Sequence, residues 1–190
     1  MEFIHALKQR RTYYSINRNL PVPEEKIIQT IQEVTATTPD AFDMKSARAV
    51  IVLGHKQDTL WDAVYDAFEG KVTHEKIDSF KSGAGTVLYF IDENVIKNMQ
   101  EQVSAYAENF PKWANHANGM LQSNIWTALR QLNVGASLQH YNPVIDGAVK
   151  KLFSLPDSWT LIAEMPFGGI ASEPDAKPAE DISQRVLIKK

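Results

Sequence analysis

The run Thr86–Ile91, TVLYFI, constrains the fold more than any other feature of this chain. A strand exposed on one face alternates apolar and polar residues, whereas this run is continuously apolar and uncharged. It predicts a strand covered on both faces. Ala49–Leu53, AVIVL, reads the same way, and Trp159–Ala163, WTLIA, gives a third strand.

The sequence around these strands has helical period. Phe3, Ile4 and Leu7 recur at helical spacing up to Arg10 and Arg11, giving a short amphipathic helix with a basic end. After Leu20–Pro23, a second helix begins at Glu24, places Ile27, Ile28, Ile31 and Val34 on one face, and ends at Thr37, Thr38 and Pro39. Asp58 is placed to cap a helix carrying Leu60, Trp61, Val64, Tyr65 and Phe68, and Thr73 one carrying Ile77 and Phe80, with Gly70 and Gly83 ending them. After Pro111 comes a helix of about twenty residues. It groups Ala117, Leu121, Ala128 and Leu132, flanked by Met120, Ile125 and Leu129, before a C-cap at Gly135. A turn, SLQHYNP, then leads into a helix over Val144–Leu152. The tail from Gly168 to Pro178 is rich in Gly, Pro and charge and reads as surface, with Arg185–Ile188 as an edge strand. Helices interleaved with strands imply a layered α/β or α+β domain, here one domain spanning 1–190, without repeats or a linker.

Charge and composition narrow the partners. Against 23 Asp and Glu stand 20 Lys and Arg, which gives no global attraction for nucleic acid or an anionic membrane. The chain has no Cys, so disulfides, thiolate metal sites and Cys nucleophiles are excluded and redox chemistry needs a bound cofactor. No apolar run approaches the roughly 20 residues that span a bilayer, and the expected location is cytoplasmic. The five histidines are scattered, so no metal site is expected. Gly83-Ala84-Gly85 precedes its strand and reads as a turn rather than a dinucleotide loop, and neither a nucleophile elbow nor a P-loop occurs.

Arg10-Arg11-Thr12 remains. Cations at a helix C-terminus are favourable in themselves, by a few tenths of a kcal/mol to ~1 kcal/mol. The same residues also suit a phosphomonoester, because a dianion needs several charge-assisted donors and Arg offers a planar fork. Such a site needs further cations, for which Lys177 and Arg185 in the tail are available.

The segments RRTYY, TTPDAFDMKSARAVIVLG, WANHANGMLQSNIWTAL, NVGASLQHYNP and MPFGGI, in that order and followed by Lys177 and Arg185, resemble the nitroreductase family. The match is greatest to its short, Frm2-like branch. The resemblance implies an α+β, three-layer fold with a mainly antiparallel sheet flanked by helices. It also implies a homodimer with two shared sites and an FMN cofactor. By position, Arg10, Arg11 and Thr12 are implied at the FMN phosphate and ribityl end, and Tyr14 stands where the family often has a cation near the flavin pyrimidine. Pro39, Asp40, Ala41, Phe42, Asp43 and Lys45 match in outline the loop that reaches the flavin from the other subunit, with Asp43 in place of Asn and Lys45 in place of Gln. The turn Ser137, Leu138, Gln139 through Tyr141 is implied against the flavin ring, with Gln139 and His140 shaping it, and Lys177 and Arg185 at the phosphate.

The activity this implies is NADH- or NADPH-dependent reduction of nitroaromatics or quinones, by a ping-pong cycle needing no side-chain acid or base. Two alternatives stand beside it: a flavin-binding regulatory or interaction protein with incidental turnover, and a domain without cofactor. The wide apolar arc of the Met120–Leu132 helix, with Trp113 and Trp126, agrees with a homodimer, although a central core helix has the same pattern.

Overall fold

The computed structural model describes residues 3–190. Its sheet has five strands: β1 (Ile16–Asn17), β2 (Ala47–Leu53), β3 (Gly85–Asp92), β4 (Val134–Ala136) and β5 (Trp159–Ile170). The order is β1-β5-β3-β2, β4 also pairs with β5, and every pairing is antiparallel. Seven helices complete it: α1 (Phe3–Gln9), α2 (Glu24–Thr37), α3 (His55–Ala67), α4 (His74–Lys81), α5 (Glu93–Gln102), α6 (Phe110–Gln131) and α7 (Asp146–Phe153).

The continuous apolar run of β3 is explained by what lies on each side. Val87 and Tyr89 face one core with Ile27 and Ile31 of α2 and Leu121, Ile125 and Leu129 of α6. Leu88 and Phe90 face another, with Leu60, Trp61 and Val64 of α3, Ile77 and Phe80 of α4 and Val149 of α7. Alternate side chains thus enter opposite layers, and both layers are apolar, so the strand carries no polar period. This is the three-layer α+β arrangement expected.

Several local expectations are corrected. Gly54, not Asp58, occupies the N-cap of α3, and Asp58 lies in its first turn, where its charge suits the helix dipole. Thr73 does cap α4, accepting from Lys76 N. Gly135 is not a helix cap: α6 ends at Gln131, Asn133 takes the left-handed conformation (φ 59°), and Gly135 pairs with Gly168 inside the sheet. The helix expected over Val144–Leu152 runs over Asp146–Phe153. β5 continues past Ala163 to Ile170, so the surface tail begins after it rather than at Gly168. Arg185–Ile188 forms no strand; a single 3-10 turn at Ile182–Gln184 precedes it, and Val186, Leu187 and Ile188 are exposed.

Candidate functional site

α1 ends at Gln9, although Arg10 N still donates to Ala6 O at 2.8 Å. The chain then leaves extended: Thr12 bridges Ala136 in parallel, and Tyr13 N donates to Ala136 O at 3.0 Å. This sets the Arg-Arg-Thr run against β4 and the turn that follows it. Arg10 lies over the Trp126 ring, 4.2 Å from its centroid, while Trp126 Nε1 donates to Ala136 O at 3.2 Å. Arg11 Nη2 donates to Asp175 O at 2.7 Å. Partial burial, then the charge of Arg11, holds the Arg10 guanidinium below its ordinary pKa. Among the described residues neither arginine forms an ion pair with a carboxylate. The charge of both guanidinium groups is thus left without a carboxylate partner among the described residues.

The following turn is tied to the middle of β5. Ser137 N donates to Pro166 O at 3.2 Å, and Gln139 and Glu164 exchange both backbone hydrogen bonds, at 2.7 and 3.0 Å. Gln139 Nε2 reaches back to Ser137 Oγ at 3.0 Å, so this side chain shapes the turn. Tyr141 N donates to Glu164 Oε2 at 2.9 Å. Glu164 is fully buried, and burial, reinforced by the nearby Asp146, pushes its carboxyl up to about 8. Tyr141 is also raised, by burial and then by Glu164.

Tyr14 is half exposed, and the Lys76 ammonium of α4 lies 4.2 Å from its ring centroid. That geometry is a cation–π contact.

The segment Pro39–Lys45 forms a separate group at the end of α2. Asn124 of α6 donates to Thr38 Oγ1 at 3.1 Å, and Asp40 Oδ2 accepts from both Ser46 N and Ser46 Oγ at 2.9 Å, closing the loop. Phe42, Asp43 and Lys45 all have left-handed backbone, with φ of 56°, 51° and 55°. Three such non-glycine residues in one short loop are strain that the surroundings must hold in place. Part of that hold is aromatic: Phe42 stacks on Trp113 with centroids 5.8 Å apart and meets Phe110 edge-on. Asp43 and Lys45 pair with each other at 3.2 Å on the surface. A cavity of about 400 Å³ opens here, lined by Pro39, Asp40, Asp43, Lys45, Arg48 and Leu121 among others. Neither Arg10–Thr12 nor Ser137–Gln139 lines it. One chain thus presents the expected residues as two separate groups, with Ala41 beside the second.

The tail is brought in only in part. Its backbone meets Arg11 at Asp175, two residues before Lys177, whereas Arg185 pairs with Glu180 at 2.6 Å within the tail itself. Among the described residues no cluster of His, Asp or Glu is arranged to hold a metal, and no helix is long and apolar enough to cross a membrane.

The sequence model of the nitroreductase family matches residues 7–169. The chain belongs to the nitroreductase family. Nitroreductase CinD from Lactococcus lactis, solved in complex with chloramphenicol, is 43% identical, with a TM-score of 0.94 over the whole of both chains. Structures of CinD with nicotinic acid and with 4-nitrophenol superpose with TM-scores of 0.93 and 0.91. Nitroreductase FRM2 of Saccharomyces cerevisiae is 33% identical over 178 residues, covering 92% of this chain and 91% of that protein. A more distant protein of Exiguobacterium sibiricum, solved in complex with FMN, shares the fold with a TM-score of 0.77 at 12% identity.

Two residues that the fold brings beside these groups, Lys76 and Glu164, carried no motif of a site in the sequence. Lys76 was only a helix residue in sequence, because its relation to Tyr14 exists only once α4 is folded against the chain's N-terminal segment. Glu164 lies just past Ala163, where the apolar run WTLIA ends, inside a strand that continues to Ile170. A carboxylate inside an apolar strand with no cation in register was the available signal.

Proposed function

We propose that this nitroreductase-family protein binds FMN and uses NADH or NADPH to reduce nitroaromatic compounds or quinones in a ping-pong cycle, acting in the cytoplasm as a homodimer of single-domain chains. The observation that carries the reading is the Arg10–Arg11 pair, held without a counter-charge beside the Ser137–Gln139 turn. A terminal phosphate fits that pair, and the chain has no fingerprint for the adenosine half of FAD. When bound, FMN supplies hydride transfer from the nicotinamide to the acceptor.

The residues divide the remaining work. Arg10, Arg11 and Thr12 would hold the phosphate and ribityl end, with Lys177 and Arg185 closing from the tail. Ser137, Leu138 and Gln139 would support the ring, their positions fixed by β5. Lys76, over Tyr14, would provide the cation toward the pyrimidine where negative charge develops on reduction. The separate Pro39–Lys45 group supports a dimer in which this loop completes the partner's site. Most of the apolar arc of α6 is buried within its own chain, so the dimer reading rests on the divided site more than on that helix. The acceptor class is supported by CinD, whose ligands chloramphenicol and 4-nitrophenol are both nitroaromatic.

The test is direct. Purified protein should be yellow, with an absorption band near ~450 nm, and heat should release FMN rather than FAD. Oxidation of NADH or NADPH with a quinone or 4-nitrophenol should be continuous. Bound FMN without turnover would instead favour the regulatory reading, toward which the solvent-exposed Asp43–Lys45 pair points.

A further inference from the structure

Behind the Ser137–Tyr141 turn the structure buries oxygens that have nothing to accept from. Glu164 Oε1, Asn142 Oδ1 and Asp146 Oδ1 are each closed to solvent and without a hydrogen-bond partner. All three are acceptors unless a carboxyl keeps its proton. Asn142 Nδ2 donates to the Leu161 carbonyl at 3.3 Å, so its orphaned Oδ1 is the half of the amide left unpaired. Unpaired buried polar atoms are rare because each forfeits its hydration without replacement. Two of these three belong to carboxyls that act on each other, Asp146 at the start of α7 and Glu164 on β5.

We propose that Glu164 is a positioning residue that keeps a proton on its buried, unpartnered Oε1 and, uncharged, fixes the Ser137–Tyr141 turn in the conformation that receives the cofactor ring. Glu164 grips that turn at two points. Its backbone exchanges both hydrogen bonds with Gln139, and its Oε2 accepts from Tyr141 N, leaving Oε1 to carry the proton. Nothing around it stabilises a negative charge sufficiently. Asp146 at the start of α7 adds a second carboxyl, itself raised by burial; Lys150 of α7 acts on Asp146; and Tyr141 and, beyond it, Tyr14 are weak acids. The two stabilising contacts, the Tyr141 N–H and then Glu164's own backbone N–H, are outweighed by burial, which places the ionisation of Glu164 at about 8. Above that pH, a buried carboxylate beside Asp146 must draw in water or move, and the turn moves with it. The link to the cofactor ring rests on the FMN reading above; the proton does not.

Glu164→Gln separates the two states. A carboxamide keeps an oxygen for Tyr141 N, places N–H donors where the proton-bearing oxygen was and cannot ionise. FMN binding to the full-length protein, followed by flavin fluorescence, should weaken about threefold to tenfold between about pH 7 and about pH 9 in the wild type, and change by less than about twofold in E164Q. Parallel profiles for the two proteins would overturn the proposal. The infrared carbonyl band of a protonated carboxyl, seen in the wild type minus E164Q difference at about pH 7 and lost by about pH 9, reads the proton without reference to FMN. If neither protein binds FMN, the cofactor reading fails, and the infrared band with amide exchange at Gln139 and Tyr141 that rises with pH more steeply than the hydroxide-catalysed rise of other protected amides still decides this one: both present upholds it, either absent sinks it. Should E164Q not fold, a carbonyl band in the wild-type difference between about pH 7 and about pH 9, where ordinary carboxyls are already ionised, together with the exchange measured in the wild type, decides it by the same two outcomes.

Discussion

The ammonium of Lys76 sits 4.2 Å from the ring centroid of Tyr14 and 4.8 Å from that of Phe80. The resemblance puts Tyr14 where the family often has a cation, and under the FMN reading α4 would return to this side of the site a charge that the N-terminal segment lacks. Replacing Lys76 by Met removes the charge and keeps the stem that packs on the two rings. Under the FMN reading the variant should retain its flavin and lower its midpoint potential by roughly 30 mV, equivalent to ~1.4 kcal/mol for a two-electron couple. A dye-coupled redox titration measures this, and a shift under about 5 mV places Lys76 away from the ring.

Asp43 and Lys45 offer the opposite pair of changes. They face each other at 3.2 Å in a loop strained at three residues. If the loop reaches a partner's flavin, Asp43→Asn raises the midpoint potential and Lys45→Gln lowers it, each by about 10–30 mV after solvent screening. If both potentials stay at the wild-type value, the pair is an ordinary surface ion pair, worth about 0–1 kcal/mol, with no cofactor role.

Arg10→Ala and Arg11→Ala test the anion site separately. Each removes charge-assisted donors worth about 1.5–3 kcal/mol, so FMN affinity should fall roughly tenfold to a hundredfold. Arg10→Ala should also expose the Trp126 face it covers, and a shift in tryptophan emission would report that. Riboflavin, which lacks the phosphate, should bind wild type and variants alike; a comparable loss for riboflavin would mean that the arginines hold the fold rather than the phosphate.

The three layers were legible because they rest on runs and periods: β3 is apolar throughout, and α2 sets Ile27 and Ile31 on one face. The Arg10-Arg11-Thr12 run was legible because charge and spacing are local. What escaped depended on tertiary neighbours. β4 is three residues centred on Gly135, whose pattern resembles a helix end. α5 opens directly from the end of β3, and its apolar face is short, Val95, Ile96 and Met99 packed beside Phe110, so it reads in sequence as the continuation of a strand into a polar stretch. The end of β5 looked like a loop because its glycines are selected by crowding rather than by turning.

That crowding is itself testable. A Cβ on Gly168 would lie 2.2 Å from Asn17 O, and one on Gly169 2.1 Å from Asn19 O, both backbone atoms that β1 and its following turn hold in place. Gly168→Ala and Gly169→Ala should each destabilise by about 3 kcal/mol or more, or prevent folding. Gly147 in α7 has open space around its Cβ position, and Gly147→Ala should stabilise by roughly 0.5–1 kcal/mol. Urea midpoints for the three variants check the contrast, and equal midpoints would mean that β1 and β5 can part enough to admit a methyl group.

Glu164 predicts a pH dependence of folding whose sign follows from its raised ionisation, about 8 when folded against 4.5 as its ordinary value. Between those values the folded chain holds a proton that the unfolded chain has released, so stability falls as pH rises. The contribution is intact below about 4.5, declines across the interval and levels off above about 8. Asp146, also raised by burial, acts in the same direction. Glu164→Gln removes the Glu164 part. Its stability relative to wild type should therefore rise from near the acid-side value to an advantage on the order of 2–5 kcal/mol at alkaline pH, the upper end being the full shift at ~1.4 kcal/mol per unit. Urea unfolding of both proteins at intervals of pH measures the difference. A difference that stays constant from acid to alkaline would mean that water reaches the ionised carboxylate without cost, and that Glu164 is not a closed, proton-bearing group.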